Sequence, residues 1–249
     1  MAIPCGRSAV DPMTSRPLAL ALEASFEQLS AAVPASVGVA IARPDRTYSL
    51  GRWTSGVAWS TIKVPLAIAA LRADSARAHA LVVKAITESD NPASEQLWSQ
   101  LGNPADAAQK VQLIVAECGD AATVVESRRL RRGFTAFGQT RWPLERQARF
   151  AAQLPLIPEA TTVIDLMHHL TIGHRWGLAA KGIAAKAGWG PGVNGDYLVR
   201  QFGIVPTRSG QWGVALAADA HDGMFETGIE VVNAMADWLV GRLPVLARY

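Results

Sequence analysis

Strand-like sequence falls into two separated blocks of this chain, and the long helical stretch between them is what most restricts its fold. ASVGVAIARPDRTYSLG, from Ala35, reads as two strands around a turn at Pro44–Asp45. IAAKAGWG, GDYLVRQFGIV and QWGVALAADA, between Ile183 and Ala220, read as three more. Five strands are too few for two packed sheets, so both blocks are expected to pair in one antiparallel sheet. The fold class this predicts is α/β of the α+β type. Terminal helices flank the sheet, and an all-helical unit is inserted on its other side.

Helical periodicity covers Arg16–Ala32 and, after the first strand block, Ser60–Ala73 and Ala76–Glu88. A third helix is expected from Pro92 with Asn91 as N-cap, and a fourth from Asn103–Pro104 to Glu117. Shorter helices follow at Leu144–Leu154 and Thr161–Leu170, and a closing one covers roughly Met224–Leu243. The chain is therefore expected to be one domain over residues 1–249. Its sheet subdomain spans about residues 17–58 and 176–249, and its helical subdomain about 59–175.

A content of 49% hydrophobic and 18% charged residues fits a globular protein with a substantial core. The net charge of +3 is small, and the one basic cluster, RRLRR at Arg128–Arg132, reads as a solvated face between a strand and a loop, so no nucleic-acid partner is expected. No run of apolar residues is long enough to span a membrane, and MAIPCGRSAV does not read as a signal peptide. Cys5 and Cys118 are either incidental or one bridge holding the N-terminal tail; both readings stay open. HHLTIGH, with His168, His169 and His174, has no metal spacing on one helical face, and no metal or organic cofactor is expected.

Three short motifs carry chemistry: S-x-x-K at Ser60–Lys63, SDN at Ser89–Asn91, and K-x-G at Lys186–Gly188. Only SDN is rare by chance, at about 0.01 copies expected for this composition; the set of three in this order is specific. Each residue also has an ordinary reading. Ser60 suits a helix N-cap, Lys63 can snorkel, Asn91 can cap the next helix, and Lys186 can be a plain strand residue. A chemical reading explains them together. Residues three apart on a helix share a face, so the Ser60 hydroxyl and Lys63 amine are expected within reach of one another. A lysine desolvated near other cations can be neutral and take the serine proton. Ser60 at a helix start also offers its backbone N–H to an oxyanion.

The trio, with the order of elements from Ala19 to Leu243, resembles the class A β-lactamases and penicillin-binding proteins. By that resemblance Ser60 is the acylated nucleophile and Lys63 its base. Ser89 relays a proton to the leaving nitrogen, and Asn91 binds the acyl-amide carbonyl. Lys186 supplies positive charge from the strand edging the cleft, where Ala187, Gly188 and Trp189 meet substrate. The Trp189 N–H joins that of Ser60 in the oxyanion hole. The resemblance implies a cell-wall peptide or related amide as substrate, β-lactams as inhibitors, a monomer, and action outside the cytoplasmic membrane.

Three departures qualify it. KAG replaces KTG, so Ala187 lacks the hydroxyl that helps hold a carboxylate, and Arg200 falls a few residues late to replace it. Only 29 residues separate Ser60 from Ser89, shorter than the class A spacing, which implies a trimmed helical unit. No E-x-x-L-N loop is found; Glu145 and Glu126 are poor candidates for a deacylating base. The expectation is an enzyme that acylates but turns β-lactams over slowly. An active lactamase with a different base, and a degenerate relative that only binds, stay open as alternatives.

Overall fold

The computed structural model describes residues 12–43, 46–207 and 210–246. The Pro44–Asp45 turn and Cys5 lie outside the described residues. The chain starts with α1 (Pro12–Ala32), β1 (Ala35–Ala42) and β2 (Thr47–Gly51). After β3 (Ser55–Val57) and a 3₁₀ turn at Trp59–Ile62 come α2 (Lys63–Thr87), α3 (Asn91–Gln100) and α4 (Pro104–Glu117). A long loop carries a second 3₁₀ turn at Phe137–Gln139 and leads to β4 (Arg141–Pro143), α5 (Leu144–Gln153) and α6 (Ala160–His168). The last elements are β5 (Ala184–Pro191), β6 (Tyr197–Thr207), β7 (Gly210–Ala220) and α7 (Phe225–Leu246).

Both strand blocks do join in one antiparallel sheet, in the order β2-β1-β7-β6-β5, which leaves β5 on an edge. The sheet is covered on both faces, so β1 and β7 are buried almost throughout instead of alternating with polar residues. One face of β7, with Trp212, Val214, Leu216 and Ala218, packs with α1 and α7. There Phe26 meets Trp238 edge-on at 4.9 Å, and Ser25 accepts hydrogen bonds from the Trp238 and Arg242 side chains. The other face offers small residues, Ala215 and Ala217, and lets α5 approach closely. A Cβ on Gly213 would lie 1.9 Å from the Ala148 carbonyl oxygen, so only glycine permits this contact.

α2 runs through the helical unit, and every residue from Lys63 to Leu71 is buried. That stretch is apolar around its whole circumference apart from Lys63, as a central helix requires. Fully buried Leu66 and Ile68 contribute about 1.5–3 kcal/mol each. At Asp74 the backbone turns out of helical geometry and the Asp74 carboxylate caps Arg77 N at 3.1 Å, so the helix kinks where the sequence predicts a break.

Several local expectations need correction. Asp90, not Asn91, is the N-cap of α3: its side chain accepts from Ala93 N at 2.6 Å and leaves Asn91 as the first helical residue. No strand precedes RRLRR, which sits in the long loop between α4 and β4. A second sheet, β3 with β4, has no signal in the sequence; three-residue strands, one with a proline, are too short to show a period. Cys118 is buried after α4, and burial pushes its thiol up to about 12.

Candidate active site

Ser60 is neither a helix N-cap nor in the first turn of α2. It lies in the 3₁₀ turn between β3 and Lys63, where no side chain caps the helix. The turn is fixed from several sides. Ala58 N donates to the Thr140 carbonyl at 2.7 Å, and Thr61 Oγ1 donates to the Ala58 carbonyl at 2.6 Å. Gln147 Nε2 in turn donates to Thr61 Oγ1 at 2.9 Å. Trp59 takes φ +51°, a left-handed conformation that non-glycine residues adopt at a cost of about 1–3 kcal/mol. The edge strand β5 presses on this turn. A Cβ at Gly188 would stand 2.7 Å from Ser60 N and 2.9 Å from Thr61 N, and one at Gly190 would enter the Trp59 ring. The glycine of the K-x-G motif is therefore required by backbone contact with the serine turn.

Ser89, the second non-glycine residue at positive φ (+55°) among the described residues, stands between α2 and α3. Two buried amines converge on it. Lys63 Nζ bonds the Ser89 carbonyl and lies 3.4 Å from Ser89 Oγ and 2.7 Å from Asn91 Oδ1. Lys186 Nζ donates to Ser89 Oγ at 2.8 Å and to the Ala187 carbonyl at 3.0 Å. The expected direct hydrogen bond between Lys63 and Ser60 is absent among the described residues; the amine is turned to Ser89 and Asn91. The Ser60 hydroxyl makes no hydrogen bond to protein among those residues either, and is half-buried.

Neither lysine has a carboxylate partner within ion-pair distance among the described residues. Burial holds Lys63 down to about 7, with the Asp90 charge opposing the shift. Lys186 is pushed well below its ordinary value by burial and by the Lys63 charge. A neutral Lys63 has two N–H groups, enough for the Ser89 carbonyl and Asn91 Oδ1, and its lone pair remains to accept a proton.

The remaining expected residues divide. Trp189 follows Gly188 on β5 and is half-buried, its ring against Phe225 (5.2 Å between centroids) and His174 (5.3 Å). The Ala187 side chain is buried on the other face of β5, in the core formed with the terminal helices. Arg200 pairs with Gly188 across β5 and β6, but its guanidinium turns away from the cleft and is completely buried. It donates to the carbonyls of Gly56, Val57 and Trp142 and to Gln147 Oε1, and burial lowers it to about 9. Neither acidic candidate serves Ser60. Glu145 accepts from Ser49 at 2.5 Å, on the far edge strand, and Glu126 is tied to Arg128.

Sequence reasoning missed two contributors. His174 sits on a 3₁₀ turn, where burial first, then Lys186 and to a smaller extent Lys63, hold it below its ordinary value. No local pattern could show this, since its neighbours Thr87 and Trp189 are distant in sequence. Arg131, inside the basic cluster, donates to the Pro191 carbonyl at 2.8 Å and lies over the rings of Phe134 and Trp59, clasping the long loop to the end of β5.

No family profile matches the chain, and no curated protein matches it by sequence. Solved structures do. The TLA-3 extended-spectrum β-lactamase superposes with a TM-score of 0.72 at 13% identity, over 90% of this chain and 98% of that one. The fold is that of the class A β-lactamases. A class A β-lactamase from Bacteroides cellulosilyticus DSM 14838 gives 0.72 at 15% identity, over 91% and 98%. A variant of the last common ancestor of Gram-negative bacteria class A β-lactamase gives 0.68 at 18%, over 89% and 97%. Among the described residues no helix is long and apolar enough to cross a membrane.

Proposed function

We propose that the chain is a serine hydrolase or acyltransferase that forms an acyl-Ser60 intermediate from a cell-wall peptide or related amide. The observation that supports this best is the meeting of two buried, carboxylate-free lysines on one serine hydroxyl beside a second, unengaged serine. A purely structural pair of this kind would cost several kcal/mol and return little.

In this reading neutral Lys63 removes the Ser60 proton as Oγ attacks the carbonyl carbon. The oxyanion that forms is held by the backbone N–H groups of Ser60 and Trp189. Asn91 uses its amide N–H groups, which have no protein acceptor among the described residues, for the substrate's acyl-amide carbonyl. The proton passes from Lys63 through Ser89 to the leaving nitrogen, and Lys186 Nζ, donating to Ser89 Oγ at 2.8 Å, orients that hydroxyl for the transfer. Among the described residues neither Glu145 nor Glu126 is placed to activate water on the ester, assistance commonly worth about 10²–10⁴-fold, so the acyl-enzyme is long-lived. The site of action is outside the cytoplasmic membrane, where such amides occur.

Incubation with a fluorescent penicillin, followed by intact-mass analysis, tests the proposal. A persistent adduct that is lost in Ser60→Ala is the expected result. Rapid turnover of a chromogenic cephalosporin would instead make the chain a β-lactamase, and no adduct on a folded chain would make it a binding protein.

A further inference from the structure

Under the acyl-Ser60 reading, on which this inference rests, the acyl half of the substrate lies along the free edge of β5. The strand register fixes what that edge offers. Gly192 N donates to the Asp196 carbonyl, so Gly190, Gly188 and Lys186 turn their backbone groups toward β6. Those of Ala187, Trp189 and Pro191 project from the edge, which passes the serine turn where Gly188 abuts Ser60 N and Gly190 the Trp59 ring. The Ala187 carbonyl already accepts from Lys186 Nζ at 3.0 Å. Pro191 has no N–H, and its carbonyl accepts from Arg131 Nη1 at 2.8 Å. Trp189 alone keeps both groups without a protein partner among the described residues, its N–H for the oxyanion and its C=O for the substrate's acyl-amide N–H. Lys186 and Ser89 mark the leaving side, so the acyl half runs the other way, from Trp189 toward Pro191 and Arg131.

Arg131 ends this edge as a fixed cation. Its guanidinium is half-buried and lies 4.6 Å from the ring centre of Phe134 and 5.7 Å from that of Trp59, the neighbour of Ser60. Pro191 uses one of its five N–H donors, and the others have no protein acceptor among the described residues. No carboxylate stands within ion-pair distance of Arg131 among those residues; Glu126 pairs with Arg128 and Glu95 with Arg129. Groups projecting from one strand edge repeat about every 6.5–7 Å. With the acyl-amide N–H on the Trp189 C=O, a carboxylate on the carbon next to the acyl-amide carbonyl covers that span. We propose that Arg131 is the specificity-determining residue of the acyl subsite, and that it selects substrates with a carboxylate at that position over neutral ones. Two of its remaining N–H groups take the carboxylate while the Pro191 contact holds the guanidinium in place.

Benzylpenicillin and carbenicillin supply the test, because they share one nucleus and differ by a single carboxylate beside the acyl-amide carbonyl. Quenched intact-mass analysis gives the second-order rate of Ser60 labelling by each on the full-length chain. Carbenicillin should label about tenfold faster, the scale of a charge-assisted hydrogen bond. Arg131→Gln should reduce that ratio to about twofold or less, and Arg131→Lys, which keeps the charge, should retain about half of it. A purely structural role for Arg131 would lower both rates and leave the ratio alone. On the parent chain the ratio should also fall to about threefold or less in 0.5 M sodium chloride, as an ion pair open to solvent requires. Equal rates on the parent chain, a ratio insensitive to salt, or one that survives Arg131→Gln would overturn the assignment and leave the acyl-Ser60 reading intact. If neither penicillin labels Ser60 in a folded chain, both fall.

Discussion

At the residue scale, Lys63 sets the balance between stability and chemistry. Its amine titrates near 7 in the fold, against 10.5 unfolded, so the unfolded chain binds more protons between those values. Stability contributed through this group therefore rises as pH goes from about 7 to about 10.5, and at pH 7 most of the burial cost is present. Lys63→Met should stabilise the fold by a few kcal/mol, of order one 1.4 kcal/mol step per pKa unit, and abolish labelling of Ser60. Thermal unfolding at pH 7 checks the first effect, with a midpoint raised by about 5 °C or more. That Lys63, Ser89 and Lys186 meet was legible in the sequence, because S-x-x-K, SDN and K-x-G occur in a rare order. Their hydrogen bonds were not. The helix-face argument aims Lys63 at Ser60, whereas the 3₁₀ turn and the left-handed Trp59 turn the amine toward Ser89.

Among elements, the edge strand β5 and the serine turn act as one unit. Alternation and terminal glycines made β5, β6 and β7 readable, and Asn103–Pro104 marked α4 correctly. Asn103 Oδ1 does accept from Ala105 and Asp106 N. What propensity could not express is contact between backbones. A methyl at Gly188 would meet Ser60 N, Ala58 O and Thr61 N, all within 3 Å, and backbone atoms cannot rotate aside. Gly188→Ala should push β5 off the serine turn and cut the acylation rate at least 100-fold, the scale of losing one oxyanion donor. Far-ultraviolet circular dichroism should stay unchanged, since the rest of the sheet is untouched; stopped-flow labelling with a fluorescent penicillin gives the rate.

For the whole molecule, the sheet divides two cores, one with the terminal helices and one with the helical unit, and Arg200 binds the second to the serine turn. Its guanidinium ties β6 to the carbonyls of β3 and β4 and to Gln147 on α5, which in turn holds Thr61. From the sequence it was a displaced substrate residue; only the three-dimensional pairing of two unrecognised three-residue strands gives it a place. Arg200→Ala should strip those carbonyls of donors and destabilise the fold by about 3 kcal/mol or more, a drop of about 6–12 °C in unfolding midpoint by calorimetry. The five-stranded sheet and the inserted helical unit were legible because strand and helix periods differ, and because strands split between the two halves of a chain must reunite. The pairing of α5 with β1 and β7 was not, since it depends on Gly213 and small alanines at one spot. The claim that binds these scales is that an uncharged amine in a dry hollow activates Ser60, and the pH dependence of Ser60 labelling by a fluorescent penicillin tests it most directly. The pseudo-first-order rate should rise about tenfold per pH unit below neutrality and level off with a midpoint near 7, following loss of the Lys63 proton. A rate flat from pH 5.5 to 8.5, or a midpoint above 9, would contradict it.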